Sequence, residues 1–422
     1  MDAVDGMDTQ VEGGPRCDGC RKDGAMASRV SVFVFCQSLG WEMMQRLPFL
    51  DGLADNRAPM RPILGSSCAS LPTVLSGTLP QRHRHFAWFF YSPISTPFRM
   101  CRFVSYVPVL NRSRRVRNNL VLAVKKSAGI TGRLSIFNMP LRYLPLFDFV
   151  EKRNLFEPGA LGDVHTLIDF FREQNIPYFC SSPERSDMQN ADAMAQAVRQ
   201  GEVSAAFCHL SGADHVLLRQ GTASTALRGR VAWVDHKVRG IYEAASKHYE
   251  RVDLVVFSDS GVVPIYDVYD LKGRLDQTRF SYFQDYVAVF EPTMARFWML
   301  SHECRAAMPQ ILSLLPSGTV LSKEELQKEG CWFDDGRFGE IIFLANPGTI
   351  FTPNYINWEL PVAARGYHPD TPGMAAGIVS NMPELVPPAS VAEVYDLLVR
   401  IVAAEQGQKP LTAAGRRSDW FS

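Results

Sequence analysis

Three short runs constrain what this chain can fold into. Arg29-Val-Ser-Val-Phe-Val-Phe-Cys36, Val203-Ser-Ala-Ala-Phe-Cys-His-Leu210 and Asp253-Leu-Val-Val-Phe-Ser258 are of strand length and near-continuously apolar. A strand with apolar side chains on both faces must be covered on both faces, the situation of central strands in a parallel sheet with helices packed on either side. Each run exits into a polar turn: Gln37-Ser-Leu-Gly40, Ser211-Gly-Ala-Asp214 and Asp259-Ser-Gly261. Open α/β sheets place their sites at such carboxyl ends. Helical spacing of Val231, Val234, Val238 and Ile241 predicts a long helix from Ala223 to Tyr249. Shorter helices are expected at Val164–Glu173 and Ser390–Glu405, with a strand at Ile176–Cys180 between them in the chain.

The chain has 422 residues, 46% of them hydrophobic, which is ample for a large core. Acidic and basic residues are equal in number, so no global field favours nucleic acid. The basic stretch Asn111–Arg117 reads as a solvated surface. Nine cysteines scattered over this length suit a reducing cytoplasm better than a disulfide framework, and Cys17-Asp-Gly-Cys20 lacks the second pair that a zinc knuckle needs. Residues 1–28 and 406–422 read as disordered tails, without a signal peptide. No apolar run reaches the ~18 residues of a membrane span.

The stretch Leu64-Gly-Ser-Ser-Cys-Ala-Ser-Leu-Pro-Thr-Val-Leu75, continued by Ser76-Gly-Thr-Leu-Pro-Gln-Arg-His-Arg-His85, gathers small residues, hydroxyls, a thiol and two histidines. It reads as a turn entering a buried helix. A hydroxyl there sits at a helix N-terminus, where backbone N–H groups favour an oxyanion. Ser66 and Ser67 read equally as N-cap residues. The following run Phe86–Tyr91 is aromatic enough for core, and Phe280 to Trp298 is a further aromatic-rich segment.

These motifs resemble the alkaline phosphatase superfamily, most closely its nucleotide pyrophosphatase and type I phosphodiesterase branch. In that family the nucleophile stands ten residues before the Gly of a "TG..P..HG" signature. Here the signature reads Ser76-Gly77, Pro80 and His83-Arg84, which points to Ser67 with Cys68 beside it. Gln37-Ser-Leu-Gly-Trp41 is similar to the first metal-ligand loop, Asp259-Ser-Gly261 to the "SDHG" motif, and Arg365-Gly-Tyr-His-Pro369 to the late "HGY" segment. The resemblance covers about Arg29 to Glu405 and implies an alkaline-phosphatase-like three-layer α/β sandwich with a mostly parallel central sheet. The expected division is a core over 29–262, an inserted or peripheral subdomain over 263–340, and the end of the core over 341–405. The run Tyr143–Gly159 resembles a bacterial subfamily found beside polysaccharide and secondary-metabolite genes, which implies a role in specialised-metabolite biosynthesis.

Family members hold two divalent metals on six side chains, which neutralise the nucleophile and the leaving group. Mapped by motif, the first Asp is Gln37, the "D...H" pair is Asp214 and Leu218, the "DH" pair is Asp259 and Ser260, and the late His is Arg365. Only Asp214 and Asp259 survive. Leu218 cannot coordinate, a neutral amide is a weak ligand, and Arg365 brings a permanent positive charge.

The resemblance with these departures implies a repurposed, metal-independent hydrolase or group transferase acting on a small anionic or ester-bearing metabolite. Ser67 would be the nucleophile, Asp214 or Asp259 an acid or base, and Arg365 the substitute for metal charge. Gln37, Cys68, His83, Ser260 and His368 are expected to bind substrate. No cofactor is expected beyond at most one weakly bound divalent metal, and no nucleic acid or membrane. A homodimer, or a pairing with another biosynthetic protein, stays open. Two other readings also stay open: an inert scaffold that binds the old ligand or an active relative, and a metal phosphodiesterase whose ligands shift to His215 or His368. Strand alternation is expected to turn His215 away from Asp214.

Overall fold

A computed structural model describes residues 27–65, 67–104 and 113–405. The expectations for Ser66, for Cys17 and Cys20, and for nearly all of both tails lie outside the described residues. The first strand already begins at Ala27, inside the stretch expected to be tail.

Its neighbours in the sheet follow from the apolar pattern. From Val30 to Cys36 every residue of the strand Ala27–Cys36 is buried. Val30, Val32, Val34 and Cys36 face one apolar cluster, while Phe33 and Phe35 face another on the opposite side. It pairs in parallel with Ala205–Leu210 on one side, Val34 opposite Cys208, and with Tyr249–Phe257 on the other, Val34 opposite Val256. The six-stranded sheet runs in the spatial order 56–60, 376–380, 249–257, 27–36, 205–210, 178–180. In it, Ala376–Ser380 runs against its two neighbours and the remaining strands share one direction.

Helices cover both faces, giving the expected three-layer α/β sandwich. Helix Thr225–Ala245 buries Val231, Val234, Val238 and Ile241 on one face together with Asp187–Arg199. Helices Ser67–Ser76, Leu167–Glu173 and Val394–Glu405 cover the other. The long helix stops at Ala245, short of the expected Tyr249, because Tyr249 opens the next strand. A capping box of Thr166 and Asp169 starts the helix at Leu167, later than expected.

A second sheet is antiparallel, in the order 286–290, 294–299, 341–345, 318–320. It shares an aromatic cluster with the paired strands Phe89–Tyr91 and Phe147–Phe149. The expected boundary at 340 therefore cuts a sheet: Ile341–Ala345 pairs with Met294–Met299 and Gly318–Val320, not with the central strands. A continuous apolar run reports burial on both faces but not which sheet buries it. Arg296 is fully buried here and donates to the carbonyls of Phe89 (2.8 Å) and Phe338 (3.3 Å) and to Glu291 Oε1 (3.2 Å). Among the described residues no helix is long and apolar enough to cross a membrane.

Candidate functional site

The carboxyl ends of the parallel strands converge on one place. Gln37 and Ser38 follow the first strand, and Asp259 follows Tyr249–Phe257. Asp214 lies in the first turn of helix Gly212–Gln220, which starts directly after Ala205–Leu210. This corrects the expected exit loop: Ser211-Gly-Ala-Asp214 is largely helix. Asp214 and Leu218 are thus one turn apart, and exposed His215 is turned from Asp214 by helical pitch rather than strand alternation. Gly40 lets two of these loops meet, since a Cβ there would lie 2.4 Å from the Cα of Gly261.

Arg365 lies between the two surviving carboxylates. Its Nη2 donates to Asp214 Oδ2 at 3.2 Å and its Nη1 to Asp259 Oδ2 at 3.4 Å. Gln37 completes the cage. With its amide oriented to satisfy both neighbours, its oxygen accepts from Arg365 Nη1 (2.9 Å) and Nη2 (2.7 Å), and its NH₂ donates to His209 Nε2 at 3.2 Å. The opposite orientation would set that NH₂ against the guanidinium. The Arg365 backbone is held too: its carbonyl accepts from Thr293 Oγ1 at 3.0 Å, and Gly366 follows at φ +87°, where a Cβ would approach that hydroxyl to 2.8 Å.

Ser38, which the sequence reading passed over, ties the carboxylates together. Its N–H donates to Asp259 Oδ1 and its hydroxyl to Asp214 Oδ1, both at 2.8 Å. It is fully buried and sits at φ 61°, a left-handed conformation that costs a non-glycine residue about 1 kcal/mol or more. Two charge-assisted bonds offset that cost. The only sequence signal was a small polar residue at the exit of a buried strand.

Also missed was His209, read simply as part of a strand. In register with Phe35, it stacks on that ring at 4.9 Å between centroids. Burial holds its imidazole down to a pKa of about 4, with Asp187 and Asp259 pulling it up and Arg133 and Arg365 pushing it down. It is therefore neutral at physiological pH.

A cavity of about 1260 Å³ opens over this cage. Ser67, the first residue of helix Ser67–Ser76, lines it with Cys68, Gln37, Asp214, Asp259 and Arg365. Ser260, His83 and His368 are not among its lining residues. Ser260 is buried, and His83, 2% exposed, is hydrogen-bonded to Thr73 Oγ1 at 2.9 Å. His368 pairs with Asp370 at 3.6 Å instead. Burial, with His85 as neighbour, pushes the His83 imidazole well below its ordinary range. None of the three lines the cavity, a placement that motif position does not report.

The donor set does not fit a pair of divalent cations. Two carboxylates and one amide remain, and a guanidinium already occupies the space between them. Among the described residues no cluster of three or more His, Cys, Asp or Glu side chains is arranged to hold a metal ion.

The sequence model described as type I phosphodiesterase / nucleotide pyrophosphatase matches residues 32–368. No curated protein matches the chain by sequence. Among solved structures, murine ectonucleotide pyrophosphatase / phosphodiesterase 5 superposes with a TM-score of 0.62 at 13% identity, over 91% of this chain and 96% of that one. The human protein of the same name gives 0.62 at 11% identity, over 88% and 94%. An inactive threonine-to-alanine variant of the murine protein in complex with AMP gives 0.61 at 14%, over 91% and 96%. At these identities the likeness shows the fold alone.

Proposed function

The chain belongs to the type I phosphodiesterase / nucleotide pyrophosphatase family, and from that premise we propose that it is a metal-independent member in which Arg365 takes the place of the family's cations. The observation that carries this reading is the guanidinium bonded to both surviving ligand carboxylates in the cavity that holds Ser67. The substrate class is a small ester-bearing or anionic metabolite, in keeping with a biosynthetic role. Ser67 Oγ attacks the ester centre and passes its proton to Asp214, whose side chain is 10% exposed against 1% for Asp259. The leaving alkoxide takes that proton, and water then releases the acylated or phosphorylated serine.

A second reading, an inert ligand-binding protein, is favoured by a specific observation. Arg365 donates to Asp214, Asp259 and Gln37 together, so its charge is already matched. A panel of nitrophenyl phosphodiesters, sulfates and carboxylic esters assayed in chelator separates the two. Turnover that survives chelation and is lost in Ser67→Ala supports the enzyme. Turnover that appears only with added divalent metal refutes metal independence, and binding without turnover supports the inert protein.

A further inference from the structure

The cage around Arg365 contains two carboxylates and one guanidinium, so it offers an incoming anion no unmatched positive charge. The rest of the cavity does. Outside the cage, six arginines line it against three acidic residues, an excess of three in a chain whose net charge is zero. Three are already engaged: Arg230 pairs with Asp187, Arg114 with Glu359, and Arg117 donates to the carbonyls of Ile136, Phe137 and Met139. Arg133, Arg185 and Arg219 remain, all exposed and none with a guanidinium hydrogen bond or ion pair among the described residues, and of the three it is Arg133 whose charge reaches His209. The Arg133 backbone N–H donates to Glu151 Oε1 at 3.1 Å, but its guanidinium is exposed and has no hydrogen bond or ion pair among the described residues. It lies near enough to His209 to act on that imidazole electrostatically.

His209 supplies the second element, through a chain of fixed polarities. Arg365 can only donate, so Gln37 turns its oxygen to the guanidinium and its NH₂ to His209 Nε2. That nitrogen must accept, which in a neutral imidazole leaves the proton on Nδ1. Nδ1 has no partner among the described residues and is not one of the chain's buried, unpartnered polar atoms, so it opens into the cavity that His209 lines.

We propose that the Arg133 guanidinium and the Nδ1–H of His209 form an oxyanion subsite, which takes a phosphate- or sulfate-type group of the ligand apart from the centre presented to Ser67. This rests on the reading of the cavity as the ligand site, but not on Ser67 chemistry. A guanidinium supplies charge and two parallel donors, and the imidazole adds a donor whose direction is fixed by Gln37.

The test uses sulfate, which stays dianionic through the neutral range, titrated into the full chain by calorimetry and by NMR of the histidine ring nitrogens. The expected result is a protonated Nδ1 and an unprotonated Nε2 at His209, with Nδ1 shifting on sulfate addition. Arg133→Ala, an exposed position, weakens sulfate about tenfold or more, the scale of a charge-assisted hydrogen bond. Gln37→Glu keeps the contact to Arg365 but removes the NH₂, so the proton moves to Nε2, Nδ1 becomes an acceptor, and sulfate affinity falls although Arg133 is intact. Ser67→Ala binds sulfate as the wild type does, which keeps a failure of the hydrolase reading distinguishable from a failure of the subsite. Equal sulfate affinity in wild type and Arg133→Ala, no binding in the wild type, or a protonated Nε2 in the wild type overturns the proposal.

Discussion

Arg365→Met is the perturbation that most directly tests whether a guanidinium serves as the resident cation. The substitution keeps most of the side-chain volume and removes the charge. It leaves Asp259 and Asp214, with side chains 1% and 10% exposed, facing each other without a counter-ion. Removing one partner of a buried ion pair costs about 3–5 kcal/mol, because the remaining charge stays buried and uncompensated. At an unfolding entropy of about 2.1 cal/mol/K per residue, a chain of 422 residues has about 0.9 kcal/mol/K. A loss of 4 kcal/mol then lowers the melting temperature by about 4–5 °C. Calorimetry at pH 8 should show that fall. Adding Asp214→Asn to Arg365→Met should recover part of the loss at pH 8. Manganese should raise the melting temperature of Arg365→Met but not of the wild type, since a cation that binds only the folded state stabilises it by mass action. Wild-type stability in Arg365→Met at pH 8, or equal manganese stabilisation of both proteins, would show that Arg365 is not the resident cation.

Ser67→Ala should abolish any turnover and change stability by no more than about 1 kcal/mol, because Ser67 is the part-buried first residue of its helix; residual turnover above background excludes Ser67 as the attacking group. Glu151 is buried, and burial raises its carboxyl from the ordinary 4.5 to about 7, against the opposing hydrogen bond from the Arg133 N–H. The folded chain therefore keeps a proton that the unfolded chain has released, and stability falls as pH rises from 4.5 through 7, by about 3 kcal/mol in all. Glu151→Gln removes that fall: denaturant titrations should show the variant level with wild type near pH 4 and more stable by about that amount at pH 8, and a difference independent of pH would count against it. Gly40→Ala should cost about 3 kcal/mol, the upper end for overpacking, because the new Cβ meets the backbone of Gly261 rather than a side chain that can move; a melting temperature unchanged from wild type would show that the loops have room.

The fold was legible where burial has one interpretation. Val30 to Cys36 could only be a strand covered on both faces, and Val231, Val234, Val238 and Ile241 could only be a helix stripe. It was not legible where a run reports burial without direction, which is why Ile341–Ala345 was expected in the central sheet and stands in the antiparallel one. Motif spacing located Asp214, Asp259, Gln37 and Arg365, because those positions follow strand ends that the fold brings together. It missed Ser38 and His209, whose roles come from hydrogen bonds between residues 176 and 172 positions apart in the chain. It assigned His83, Ser260 and His368 to substrate because neighbourhood in sequence does not say which way a side chain turns.

On the proposed reading, a side chain in place of metals changes more than the source of charge. A metal ion accepts lone pairs from several directions and can be exchanged, whereas the Arg365 guanidinium only donates, in one plane, and is covalently present at every concentration. Each neighbour must then present an acceptor to it. Asp214 and Asp259 do so through Oδ2, which leaves Oδ1 of each for Ser38. Gln37 does so through its carbonyl, which commits its NH₂ to His209. A glutamate or aspartate at position 37 would have satisfied Arg365 equally well but could not have donated onward. The amide is thus the one acidic-to-neutral exchange among the mapped ligand positions, and it both limits the negative charge around Arg365 and carries its polarity outward.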